Sequence, residues 1–170
     1  MDTVMLSTKE IIKAKHFEKR GTCFTSYDYR DFHIKFVQDK VSTSVKGTIR
    51  GFHSDSKTWK LISCLHGRIK LVTYDIYNDI KESYYLSSDD LEFNSVLIPP
   101  GTFNAHQCLT NECVFFYKWS EYYTSPEDQW SIYYNDSTID PNWEDIPPIV
   151  SSRDKTSKSL MDFKKCISKT

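Results

Sequence analysis

From Phe24 onward, short runs rich in β-branched and aromatic residues follow one another along the chain. "HIKFVQ", "GTIRGFH", "WKLISCL", "RIKLVTYDIY", "EFNSVLIPP", "ECVFFYKWSEYY" and "WSIYYND" each have the length of a strand, and turn signals such as "HGR", "LTNE" and "TSPED" separate them. No long amphipathic helical pattern lies between the runs, so a parallel βαβ sheet is not expected. Many short strands at this spacing predict an all-β fold, a sandwich or barrel of the jelly-roll kind with short peripheral helices. Near the start, "STKEIIKAK" reads as one or two helical turns, with Ser7 as N-cap and Glu10 completing a capping box, or else as an edge strand. The end of the chain is polar and then weakly helical, so residues 156–170 are expected to form a tail or short helix against the barrel.

Length and composition narrow the picture. A chain of 170 residues suits one domain with a real core, here 1–170 with its centre at 18–155. The 22 basic and 23 acidic side chains nearly cancel, so no basic field for nucleic acid or a membrane surface is expected. Aromatic residues make up 15% of the chain, which favours β-structure. The five cysteines show no CxxC pairing, and neither a signal peptide nor a membrane-spanning run is visible. A reducing, cytoplasmic setting is the expectation, with Cys64, Cys108 and Cys113 as small core residues.

Histidines in a jelly roll raise the possibility of a metal. A metal-binding cupin needs an HxH pair, a downstream Glu and a further His after a PxG turn. Pro99-Pro100-Gly101 supplies the turn, but Asn104 holds the ligand position and no HxH occurs. No metal is expected, and no other cofactor is called for.

"FVQDKVSTSVKGTIRGFH", residues 36–53, resembles the signature of the dTDP-4-dehydrorhamnose 3,5-epimerase family, F-x-Q-x-N-x-S-x-S followed by R-G-x-H. Further matches keep the family's order: "EKRG" with Arg20, "WKLISCLHGRI", "IPPG", "FYKWSEYY", "YYND" and "IVSSRD". Departures occur as well. The family's G-F-A-H-G-F becomes "GTFNAHQ", so Asn104 replaces a His, and Gln129 stands where a Glu is usual. The short "HSDSKTWK" with these changes looks closer to the subgroup acting on GDP-linked 4-keto heptoses and 6-deoxyheptoses for bacterial capsules.

The resemblance implies a cofactor-independent epimerase inverting C3, C5 or both of a GDP- or dTDP-linked 4-keto sugar. It implies catalytic roles for His53 as base, Asp154 as its partner and Tyr117 as the proton donor on the opposite face. It also implies substrate contacts from Arg20, Gln38, Lys40, Arg50, Lys60, Asn104, Gln129 and Arg153, and a homodimer whose sites draw on both chains. The chemistry suits these residue types. Removing a proton beside a ketone needs a base, a charge near the enolate oxygen and an acid across the ring. Imidazole serves as the base near neutral pH, and a guanidinium fork suits a diphosphate.

Arg50 and His53 would point to opposite faces of a regular strand. Both reach one site only if the strand kinks, which Gly51 permits, or if a second subunit contributes. Blander readings stand beside these. Tyr122 and Tyr123 rival Tyr117, Lys60 and Arg50 could be edge charges, and His66 and His106 read as structural. The four tryptophans read mostly as core, with "SKTWK" a candidate wall for the nucleotide base. The alternatives in function are a 3,4-ketoisomerase on the same fold and a non-catalytic sugar-nucleotide-binding cupin.

Overall fold

The structure, a computed structural model, describes residues 7–168. Strands β1 (Lys9–Ala14), β2 (His16–Glu18) and β3 (Gly21–Cys23) precede a helical turn, α1 (Tyr29–Phe32). Strands β4 (Gln38–Val45), β5 (Thr48–Ser54), β6 (Lys60–His66), β7 (Arg68–Asp75) and β8 (Ile80–Ser87) follow. Then come β9 (Glu92–Ile98), β10 (Thr102–Cys108), β11 (Glu112–Trp119), β12 (Trp130–Ser131) and β13 (Ile149–Val150). Helices α2 (Ser152–Thr156) and α3 (Leu160–Ile167) close the chain.

Two sheets face each other as a jelly roll. One has the order β1-β9-β6-β11-β4; the other runs β12-β5-β10-β7-β8, with β13 parallel to β5 at its edge. A cluster including Ile62, Leu71, Leu86, Val96, Ile98 and Phe115 fills one part of the space between them. The outer face of the second sheet is also covered. Phe52, Val72, Tyr74, Phe103 and Ala105 pack there under Ile132, Ile139, Leu160 and Phe163. Fully burying an aliphatic or aromatic side chain of this kind contributes roughly 1.5–3 kcal/mol. The covered face therefore anchors the long segment after β12, which carries Asp154 back to β5. Among the described residues, no helix is long and apolar enough to cross a membrane.

Several sequence expectations change. The "STKEIIKAK" segment is not helical: β1 pairs antiparallel with β9 from Lys9↔Leu97 to Ala14↔Glu92, so the edge-strand alternative holds. Strand pairing outweighed the local cap because an isolated one- or two-turn helix is marginal in water. "HIKFVQ" contributes only Gln38 to a strand, and "WSIYYND" only Trp130 and Ser131. Helix α3 is the expected C-terminal helix, with Ser159 capping it and Leu160 and Phe163 buried. Cys64, Cys108 and Cys113 are buried as expected.

Candidate active site

The residues of the R-G-x-H motif meet at an irregularity between β5 and β10. Asn104 pairs with His53, but His106 pairs with Arg50, so three steps along β5 match two along β10. That extra residue is a bulge, and it reverses the alternation between Arg50 and His53. Both side chains consequently line the same cavity. Gly51 is required here. Its φ is +120°, and a Cβ would sit 2.5 Å from the Asn104 carbonyl oxygen and 2.7 Å from Ala105 Cα.

Asp154 locks the bulge. Ser151 caps α2 by accepting from the Asp154 N–H at 3.1 Å, which fixes Asp154 in the first turn. One carboxylate oxygen lies 2.7 Å from His53 Nε2 and the other accepts the Gly51 N–H at 3.3 Å. Burial alone would raise the carboxyl's pKa, but the His53 contact and the Gly51 N–H outweigh it and hold the pKa below the usual carboxylate range. An ionised carboxylate only accepts, so Nε2 of His53 carries the proton and Nδ1 keeps the lone pair.

The cavity has a volume of about 640 Å³ and lies between the two sheets. His53, Arg50, Asn104 and His106 enter from the second sheet, while Lys40, Lys60, Phe115, Tyr117 and Trp119 enter from the first. Base candidate and phenol thus stand on facing walls. Burial pushes the Tyr117 phenol up, partly offset by the charge of Arg50. Lys60 is 3% exposed and its nearest carboxylate, Asp55, is 3.9 Å away. Burial, opposed by Asp55 and assisted by Lys40, lowers its ammonium to about 8. Lys40 lies over the Tyr123 ring at 3.5 Å from its centroid.

Nine of the eleven residues singled out from sequence line this cavity: His53, Tyr117, Asp154, Lys40, Arg50, Lys60, Asn104, Gln129 and Arg153. Two do not. Arg20 lies in the β2–β3 turn, exposed and paired with Glu18 at 2.7 Å. Gln38 shares the face of β4 that carries Lys40 and Ser42 but lies beyond the lining; it accepts the Tyr123 N–H at 2.9 Å, so it holds a residue that does line the cavity. Of the rival tyrosines, Tyr123 lines the cavity and Tyr122 is exposed. Trp119 is the tryptophan of the wall, not Trp59 of "SKTWK". Sequence reasoning missed Ser42, Phe115, Trp119 and His106 as lining residues, and it named Tyr123 only as a rival to Tyr117. The alternation of "CVFFYKW" from Cys113 signals Phe115, Tyr117 and Trp119 on one face. Among the described residues, no three His, Cys, Asp or Glu side chains converge as metal ligands.

Comparison with known proteins places the chain in a family and a fold. A family model described as dTDP-4-dehydrorhamnose 3,5-epimerase matches residues 3–162. The protein of that name from Salmonella typhimurium is 30% identical over 148 residues, covering 78% of this chain and 79% of its own. The crystal structure of dTDP-4-dehydrorhamnose 3,5-epimerase from Elizabethkingia anophelis superposes with a TM-score of 0.82 at 27% identity, covering 95% of this chain and 96% of that one. The enzyme from Legionella pneumophila, solved in complex with dTDP-4-keto-L-rhamnose, gives 0.81 at 28% identity, covering 91% and 88%. With the family model spanning nearly the whole chain and the jelly roll shared, the chain belongs to the dTDP-4-dehydrorhamnose 3,5-epimerase family and is an isomerase of the epimerase type.

Proposed function

We propose that this enzyme inverts C3, C5 or both of a nucleotide-diphosphate-linked 4-keto sugar by proton transfer across the cavity. The observation that carries this is the pair of walls: the Asp154-bound His53 on one sheet and Tyr117 on the other, both lining one space. Nδ1 of His53 takes the proton from the carbon beside the ketone, and the C–H electron pair moves into an enolate. The Lys60 ammonium stabilises the enolate oxygen, where its low solvation makes the charge more effective than in water. The Tyr117 hydroxyl returns a proton to the opposite face, and solvent restores both groups. Arg50, Lys40 and Arg153 supply the positive charge for the diphosphate.

The relatives' names carry dTDP-linked sugars, whereas "HSDSKTWK", Asn104 and Gln129 support a GDP-linked 4-keto heptose of capsule synthesis. Arg20 fits a homodimer. Its guanidinium is not among the groups lining its own cavity and projects from an exposed hairpin, from which it would serve the site of a second copy.

The test is incubation in D₂O with dTDP- and GDP-linked 4-keto sugars, read by mass spectrometry and NMR. Deuterium at C3 or C5 together with an inverted product is the expected result, and the faster series names the nucleotide. No uptake from either series would overturn the assignment.

A further inference from the structure

Asn104 stands directly opposite His53 in the β5–β10 register, and both side chains line the cavity. Directly opposed residues on one sheet face have Cβ atoms about 4.5–5.5 Å apart. The Asn104 Nδ2 amide donates to the backbone carbonyl of His53 at 3.0 Å. A carbonyl only accepts, so this bond fixes which end of the Asn104 amide is nitrogen and which is oxygen. Oδ1 has no hydrogen-bond partner among the described residues, and it is not one of the atoms sealed from solvent. Asn104 is partly exposed, so this oxygen is open to a molecule in the cavity.

His53 is fixed in the same way. Asp154 holds its Nε2, which leaves Nδ1 as an acceptor toward the same space. Two acceptors therefore sit side by side on this wall, while Lys60 and Tyr117 bring donors from the wall opposite. That division constrains how a 4-keto sugar lies. Oδ1 would repel an enolate oxygen placed beside it, so the ketone turns to the donors. The part of the sugar that faces the acceptors then presents two hydrogens, one on carbon and one on oxygen. Of the carbons flanking the ketone, C3 carries a hydrogen and a hydroxyl. C5 carries a hydrogen, the ring oxygen and the exocyclic carbon, and neither of the last two donates to an amide oxygen.

We propose that Asn104 is a specificity-determining residue that directs the base to C3, its Oδ1 accepting a hydrogen bond from the C3 hydroxyl. The proposal rests on the epimerase reading above and narrows it from either carbon to one. The reach fits. With C3 about 3–3.5 Å from His53 Nδ1, the hydroxyl oxygen is one bond from that carbon, on the side of the neighbouring Asn104. His53 takes the C3 proton, the C–H electron pair enters the C3–C4 enolate, and the hydroxyl keeps its own proton throughout. Tyr117 then returns a proton to C3 from the opposite wall. The family pattern has His at this place, where Asn104 presents an amide oxygen instead.

The experiment follows initial solvent deuterium uptake in D₂O by NMR, at C3 and at C5 separately. The substrates are a 4-keto-6-deoxyhexose and a 4-keto-6-deoxyheptose, each linked to dTDP and to GDP. Neither sugar has a hydroxyl on C6 that could replace the one on C3. Wild type is expected to exchange C3 faster than C5 by about tenfold to a hundredfold, the effect of leaving a polar group unpaired. Asn104→Ala should lower that ratio by the same factor. Asn104→Asp keeps an acceptor oxygen but gives up the bond to the His53 carbonyl, and it should retain the preference. The ratio is read within one protein, so it does not depend on the fraction folded. Exchange at C5 as fast as at C3 in wild type overturns the proposal, as does an unchanged ratio in Asn104→Ala. Equal loss of the preference in Asn104→Ala and Asn104→Asp would trace it to the Nδ2 bond, which overturns the proposal as well. The wild-type ratio and the Asp variant decide if the Ala variant fails to fold. Absence of uptake at both carbons in wild type is a separate result, which removes the epimerase reading and this proposal with it.

Discussion

Asp154 Oδ1 accepts a hydrogen bond of 2.7 Å from Nε2 of His53, across 101 residues of sequence. The same carboxylate accepts the Gly51 N–H, so one side chain both orients the imidazole and pins the bulge that turns it into the cavity. The imidazole's direction and tautomer therefore depend on α2 being seated by its Ser151 cap.

Asp154→Asn tests that dependence. The amide can donate to Nε2 and hold the ring in the wrong tautomer, so kcat should fall by roughly 10²–10⁴ with a much smaller change in KM. Stability carries a signature as well. The folded carboxyl titrates below its unfolded value, so its contribution is present above about pH 4 and is lost as pH falls through the folded value. Acid titration of the melting temperature should be shallower in the Asn variant. A full-activity Asp154→Asn would contradict the pairing's role.

In the proposed mechanism Lys60 sets the alkaline limit. With its ammonium lowered to about 8, kcat/KM should decline as pH rises through that value. The Tyr117 phenol, pushed up by burial, remains protonated there and does not produce this limb. A pH–rate profile flat to pH 9 would contradict it.

The same burial destabilises the fold. Lys60 binds its proton less tightly when folded than when unfolded, so stability rises with pH between about 8 and the unfolded value near 10.4. Below that window the buried charge costs about 3 kcal/mol. Lys60→Met should therefore raise the melting temperature at pH 7 while lowering kcat by about 10² or more. Calorimetry beside an activity assay measures both.

Gly51→Ala should fail for a backbone reason. The added methyl would collide with the Asn104 carbonyl and Ala105, at a φ that L-residues avoid. A loss of roughly 1–3 kcal/mol is expected, with His53 displaced and activity reduced in the fraction that remains folded. Denaturant titration and circular dichroism separate the two effects.

The strands with an apolar face were legible in the chain, among them β5, β6, β7, β9 and β11. Two that were not show why. β10 reads "TFNAHQC" because its inner positions, Asn104 and His106, face a polar cavity, so hydrophobic alternation is lost where function begins. β8, "IKESYYLS", is largely exposed over its first half and pairs on the edge of its sheet. Most of the site was accessible through ordered motifs, because R-G-x-H, Y-K and S-R-D are local strings. The bulge was foreseeable only as a conflict between Arg50 and His53, since its resolution lies in the register with β10. Trp119 and Tyr123 lie within the matched string "FYKWSEYY", but the string alone does not say which of its rings enters the cavity. His106 reads as a core histidine, and it is indeed buried.

In the proposed mechanism, proton removal and proton return belong to different walls of one cavity. Solvent-deuterium exchange on a 4-keto sugar substrate, followed by NMR in His53→Asn and Tyr117→Phe, tests it most directly. His53→Asn is expected to show no exchange above the uncatalysed rate. Tyr117→Phe is expected to retain exchange at the carbon beside the ketone while inversion falls by roughly 10²–10⁴-fold. Exchange by His53→Asn at the wild-type rate would remove His53 as the base.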